Sequence, residues 1–278
     1  MRRAASITSA TDLGSGVKLW RMPFVSTTDG TRLHYETVGS GPTLVLQTGG
    51  AGDGTMWRDA GYVEPLSAHF QCILFDHRGH GQSDRPAVRA AHSMQRYAAD
   101  IVELLDHLGV QRAGFWGYSQ GWMVGLAVAA LYSQRLSGLL ATGAIETPNR
   151  AVNSAENLDG ARALRTVGWQ PRVYQSQPAE IPSWFQRHFD STDPEMVALW
   201  LEGEGDWDMW SHLPSVTVPV QMFVGDLEDP EHLNDRAAEL IRDAKVLRLD
   251  GLDHLGAFVR SDLVIPTAIE FLARVSVH

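Results

Sequence analysis

The chain has 278 residues, 44% of them apolar and 20% charged, enough for one large α/β domain or a core domain with a modest insertion. Its net charge of −10 argues against general nucleic-acid binding, which needs clustered Lys and Arg to meet phosphates. Cys72 is the single cysteine, so neither an intrachain disulfide nor a cysteine-based zinc cluster can form.

Residues 1–18 read as an N-terminal tail. Its start, Met1–Ser6, is positively charged but has no apolar stretch behind it, which argues against a secretory signal. No segment approaches the ~18–20 uninterrupted apolar residues of a membrane span, and a cytoplasmic location is expected. Strands are expected near 19–27, 32–38 and 43–48, the first two joined at the hairpin signal Asp29-Gly30. Residues 71–76 form another short strand, with Cys72 as packing. From Met94 to Leu108, apolar residues recur at helical spacing, and Gly109 closes that helix. The strand-like run Ala113–Trp116 leads into Gly117-Tyr118-Ser119-Gln120-Gly121, and the apolar, proline-free stretch from Trp122 to Tyr132 follows as a helix. A further strand lies around Leu136–Ile145.

From Glu146 to about Leu213 strand signals vanish, prolines recur, and five of the nine tryptophans gather: Trp169, Trp184, Trp200, Trp207 and Trp210. Alternation then resumes with a strand at 218–224, a helix near 231–242, a strand at 245–249 and a last helix near 263–274. Such alternation on both sides of a helical insert implies a mainly parallel sheet covered by helices.

Strand, G-x-S-x-G and helix in that order form a nucleophile elbow, in which a sharp turn projects the Ser119 hydroxyl above the sheet. Serine needs a general base, itself oriented by an acid. Of eleven histidines, His254 follows the last strand and therefore lies at the same carboxyl edge as Ser119. The acid belongs on the loop after the preceding strand, where Asp226, Glu228 and Asp229 compete; Asp229, just before Pro230, could instead cap the next helix. Backbone donors for an oxyanion are expected from Gln120 N–H and from the glycine-rich loop 47–54, which lacks the spacing of a nucleotide-binding loop.

Together with Asp76-His77-Arg78-Gly79-His80-Gly81-Gln82-Ser83, these features resemble the α/β-hydrolase fold superfamily over about Leu19 to Val275. The resemblance implies an eight-stranded, mainly parallel sheet flanked by helices, with a helical cap inserted after the sixth strand. The core is then 19–145 and 214–278, and the cap 146–213. It implies Ser119 as nucleophile, His254 as base, and the N–H groups of Gly50 and Gln120 as the oxyanion hole. The Asp76–Ser83 segment is a structural signature there, so His77 and His80 are not read as a metal pair. Three positions depart from the family pattern: Thr48-Gly49 replaces His-Gly, Trp122 stands where glycine is usual, and the acid loop is shifted. Asp229 is preferred as the acid, with Glu228 and Glu146 as alternatives. Met56, Trp57, Tyr118, Trp122, Trp184 and Trp207 are expected to line the substrate pocket. The acidic run 202–208 reads as a solvated hinge. These residues point to a cofactor-free serine hydrolase acting on an ester, lactone or related acyl bond of a moderately apolar small molecule. The alternatives are non-hydrolytic chemistry with His254 as base, such as C–C cleavage, elimination, cyclisation or cofactor-free oxygen chemistry, and a non-catalytic ligand-binding protein.

Overall fold

A computed structural model of the chain describes residues 9–12, 18–21, 23–168, 181–204 and 206–276. Its strands are β1 (Ser9–Asp12), β2 (Lys18–Arg21), β3 (Phe24–Ser26), β4 (Arg32–Val38), β5 (Thr43–Gln47), β6 (Gln71–Phe75), β7 (Ala113–Tyr118), β8 (Leu136–Thr142), β9 (Val220–Gly225) and β10 (Ala244–Leu249). The helices are α1 (Met56–Asp59), α2 (Val63–Ser67), α3 (Met94–Leu108), α4 (Gln120–Leu131), α5 (Arg150–Val167), α6 (Ser183–Ser191), α7 (Pro194–Glu204), α8 (Met209–His212), α9 (Leu233–Leu240), α10 (His254–Val259) and α11 (Ser261–Val275).

Eight strands form the main sheet in the order β10-β9-β8-β7-β5-β6-β4-β3. Pairing is parallel from β10 through β6, while β4 and β3 extend the sheet antiparallel. The segment expected as one strand at 19–27 divides in two: β2 pairs with β1 in a separate hairpin within the N-terminal region, and β3 joins the sheet edge.

The central strands are buried on both faces, so they read as continuous apolar runs rather than as alternation. On one face α3 and α4 pack around Phe115, Ile101, Leu105 and Val124. On the other, α2, α10 and α11 close over Trp116, Leu140, Phe258 and Leu272. Ser93 caps α3 by accepting from Arg96 N–H, and Gly109, at φ 71°, ends it where a side chain would be strained. Between β5 and β7 the chain order reverses, and there the crevice of an open parallel sheet binds its ligand. The helices α5 to α8 all lie between β8 and β9.

Candidate active site

Ser119 links β7 to α4 with φ 54° and ψ −121°, a conformation that costs a non-glycine residue about 1–3 kcal/mol. The flanking glycines make so tight a turn possible. A methyl on Gly117 would lie 2.2 Å from the backbone of Gly121, and one on Gly121 would lie 2.3 Å from the Gln47 carbonyl oxygen. Ser119 N–H donates to the Thr142 carbonyl at 2.9 Å, which ties the elbow to β8. Gly49, after β5, approaches so closely that an added methyl would stand 2.7 Å from Ser119 Cβ.

His254 opens α10 just after β10, with Asp253 capping that helix through Gly256 N–H. Its ring stacks on Tyr118 at 4.9 Å, and the Tyr118 hydroxyl donates to the His254 carbonyl at 3.2 Å. A methyl on Gly143 would meet His254 Cε1 at 3.0 Å and Ser119 N at 3.7 Å, so a side chain at 143 would crowd both residues.

The acid beside the imidazole is Glu228. Its Oε2 accepts from His254 Nδ1 at 2.6 Å and from Ala144 N–H at 3.0 Å, while Oε1 accepts from Gly225 N–H at 3.0 Å. Burial alone would raise the Glu228 carboxyl, but the neighbouring His254 and these N–H groups bring it below the ordinary glutamate range. Burial pulls His254 the other way, and the Glu228 charge overcomes it, lifting the imidazole above its free value. A neutral His254 with its proton on Nδ1 presents Nε2 as the acceptor.

The expectation for Asp229 is corrected. Its carboxylate accepts from Leu233 N–H at 2.7 Å and Asn234 N–H at 3.2 Å, capping α9, and pairs with Arg248 at 2.9 Å. With these partners it is committed to the helix. Glu146 is also elsewhere: its carbonyl accepts from the Trp210 indole, and it lines a separate small cavity with Glu204.

Ser119 and His254 line one cavity of about 430 Å³. Gly50 and Gln120 line it too, and Gln120 N–H opens α4, where the first helical N–H groups have no intrahelical acceptor. Of the expected pocket residues, Met56 and Tyr118 line this cavity and four do not. Trp57 is fully buried beneath it among Tyr62, Trp116 and Phe258. Trp122 faces the α3 side of the core, Trp184 packs on Phe185 and His188, and Trp207 stacks on His212. Trp169 lies outside the described residues.

Aliphatic side chains, with Phe185, Phe189 and Trp200, form most of the remaining lining. Ala163, Leu164 and Val167 of α5 belong to it with Gly160, as do Val197, Trp200 and Leu201 of α7. Both sets follow i, i+3, i+4 spacing, a signal visible in the sequence but outweighed there by the tryptophans. Nor is the run 202–208 uniformly solvated. Glu204 is buried and accepts from Asn157, whereas Asp206 pairs with Arg89 at the surface and Asp208 caps α8.

A family model described as alpha/beta hydrolase fold matches residues 42–196, more than half of the chain. A protein provisionally named carbamate hydrolase RutD, from Azorhizobium caulinodans, is 27% identical over 257 residues, covering 83% of this chain and 91% of that one. With a protein of the same name from a Caulobacter strain identity is 35%, but the match covers 41% of this chain and less than half, 44%, of that relative. Among solved structures, a thermophilic esterase from Thermogutta terrifontis matches with a TM-score of 0.79 at 25% identity, covering 91% of this chain and 98% of that one. The enol-lactonase from Burkholderia xenovorans matches with a TM-score of 0.73 at 26% identity, covering 90% of this chain and 100% of that one.

Proposed function

The chain belongs to the alpha/beta hydrolase fold family, and on that premise we propose that it is a cofactor-free serine hydrolase of an ester, lactone or related acyl bond. The observation that carries this reading is the 2.6 Å bond from His254 to Glu228 at the rim of the cavity that Ser119 lines. Esters, lactones and carbamates all hold an acyl carbon open to nucleophilic attack, and relatives named hydrolase, esterase and lactonase agree with that chemistry.

Ser119 Oγ attacks the acyl carbon as His254 Nε2 takes its proton. Glu228 holds the imidazole in the required tautomer and stabilises the imidazolium that forms. Gly50 and Gln120 N–H groups receive the developing oxyanion. The imidazolium then gives its proton to the leaving group, and water, activated by the same base, releases the acid.

Residues 146–213 serve as the cap over a core of 19–145 and 214–278. Their aliphatic wall favours an apolar acyl or alcohol group. Tyr118 and His254 are the only titratable side chains among the described lining residues. A substrate carboxylate in that chamber would be desolvated without a cationic partner, so a neutral substrate is favoured.

The test uses p-nitrophenyl esters of increasing chain length and a fluorophosphonate probe. Wild-type protein should turn over the esters and become labelled, and Ser119→Ala should lose both. Turnover that survives Ser119→Ala but is abolished in His254→Ala would instead point to non-hydrolytic base chemistry. A wild type that neither reacts with the probe nor turns over any ester would leave the ligand-binding alternative.

A further inference from the structure

The loop that carries Gly50 is held from outside at three points. Gly54 N–H donates to Asp76 at 2.8 Å, Gly52 N–H donates to the Thr192 hydroxyl at 2.9 Å, and the Gly50 carbonyl lies 3.0 Å from His80 Nε2. The last bond concerns the residue proposed above as an oxyanion donor. A carbonyl oxygen can only accept, so Nε2 must carry the proton. Nδ1 lies 3.3 Å from the carbonyl of Arg78, two residues back, a longer contact set by the turn that contains both.

His80 is suited to hold that proton in place. It is 2% exposed, and its ring lies against His77 with centroids 3.8 Å apart. Burial lowers the tendency of both rings to protonate, and around His77 the nearby His80, His92 and Arg78 act in the same direction. The backbone beneath is fixed in turn. Arg78 is fully buried, with a paired contact to Asp100 at 2.7 Å for each nitrogen.

Gly50 has nothing of its own to resist rotation. It lacks a side chain, and a methyl added there would meet no atom closer than 3.5 Å. Glycine explores more backbone conformations than any other residue, so an outside bond must select one. We propose that His80 is a positioning residue for the oxyanion hole: by donating from Nε2 to the Gly50 carbonyl, it fixes the Gly50 backbone so that the Gly50 N–H points at the acyl oxygen. This role rests on the hydrolase reading above. It acts on the transition state, because the oxyanion forms only there.

The test compares His80→Gln, whose amide nitrogen reaches about as far as Nε2, with His80→Asn, whose nitrogen falls short, and His80→Phe, which keeps the ring without a donor. Each variant is checked for folding by thermal melting, then assayed for kcat and KM on a p-nitrophenyl ester and for affinity toward an alkylboronic acid. The boronate binds a serine nucleophile and places an oxygen in the oxyanion hole. Removing one oxyanion donor outright costs ~10²–10³ in kcat, so misaligning one should cost about 10–100-fold. Folded His80→Asn and His80→Phe should show that loss in kcat with KM nearly unchanged and a parallel loss of boronate affinity, while His80→Gln recovers most of both. The Gln–Asn pair decides the matter if the Phe variant does not fold. Equal kcat and boronate affinity in Gln and Asn, or a loss confined to KM, would overturn the proposal. Ester turnover that persists in Ser119→Ala would instead remove the hydrolase reading beneath it.

Discussion

At the scale of single residues, Glu228 and Asp229 are adjacent carboxylates with different tasks. Glu228 bonds His254 and two backbone N–H groups; Asp229 holds the start of α9 and Arg248. In the proposed mechanism Glu228→Gln should lower kcat by roughly 10³–10⁴, the scale set by losing the group that fixes the tautomer of a catalytic imidazole. Asp229→Asn should leave kcat near wild type but lower stability by about 1–3 kcal/mol, measured by denaturant unfolding, because buried donors lose a charged acceptor. The pH profile separates the roles further. His254 works only when unprotonated, so kcat/KM should rise with pH through a value above that of free imidazole. Glu228→Gln removes the charge that lifts His254, so the acidic limb should move to lower pH even as the plateau falls. A limb that stays in place would show that another group sets it. The choice between these neighbours was not legible in the sequence. Both follow Gly225 within a few residues, and the side on which each carboxylate emerges depends on the loop's path over Leu252.

Among the elements, the elbow was the most legible, because local sterics alone specify it. Gly117 is required where β7 meets α4, and Gly121 where α4 meets the end of β5, each within a methyl's radius. Gly117→Ala must push the helix from the strand, and it should cost several kcal/mol or abolish soluble expression, read by melting and by yield. The helix Met94–Leu108 was equally plain, since its period, its serine cap and its terminal glycine agree. The cavity wall was obscured for the opposite reason. Its helices meet Ser119 through tertiary packing, and a tryptophan's bulk does not reveal which way it turns. Trp57 and Trp122, both near the elbow in sequence or space, went into the core on opposite faces of the sheet.

For the molecule as a whole, Glu146, in the segment after β8, and Glu204, at the end of α7, line one small cavity. Burial, with Glu156 nearby, raises Glu146 from 4.5 to about 7; burial and Glu146 raise Glu204, against the weaker effect of Asn157. At these two carboxyls the folded state therefore binds more protons than the unfolded chain once pH exceeds the ordinary glutamate range. The contribution of these two groups to stability should fall as pH rises from about 4.5 to 7, while the buried neutral imidazoles His77, His80 and His92 contribute in the opposite sense over the lower part of that window. Glu146→Gln should raise the melting temperature at pH 8 by more than at pH 5; an equal change at both pH values would refute it.

The bond from Gly52 N–H to Thr192 has a consequence for redesign. Thr192 follows α6, in the segment whose residues shape the chamber, while Gly52 is two residues from Gly50. Exchanging 146–213 for the corresponding segment of a relative, in order to change substrate, would also remove one of the three ties on the loop beside Ser119. A transplant that omits a hydroxyl at position 192 should thus acquire the new selectivity with a slower turnover, and restoring threonine there is the first repair to make.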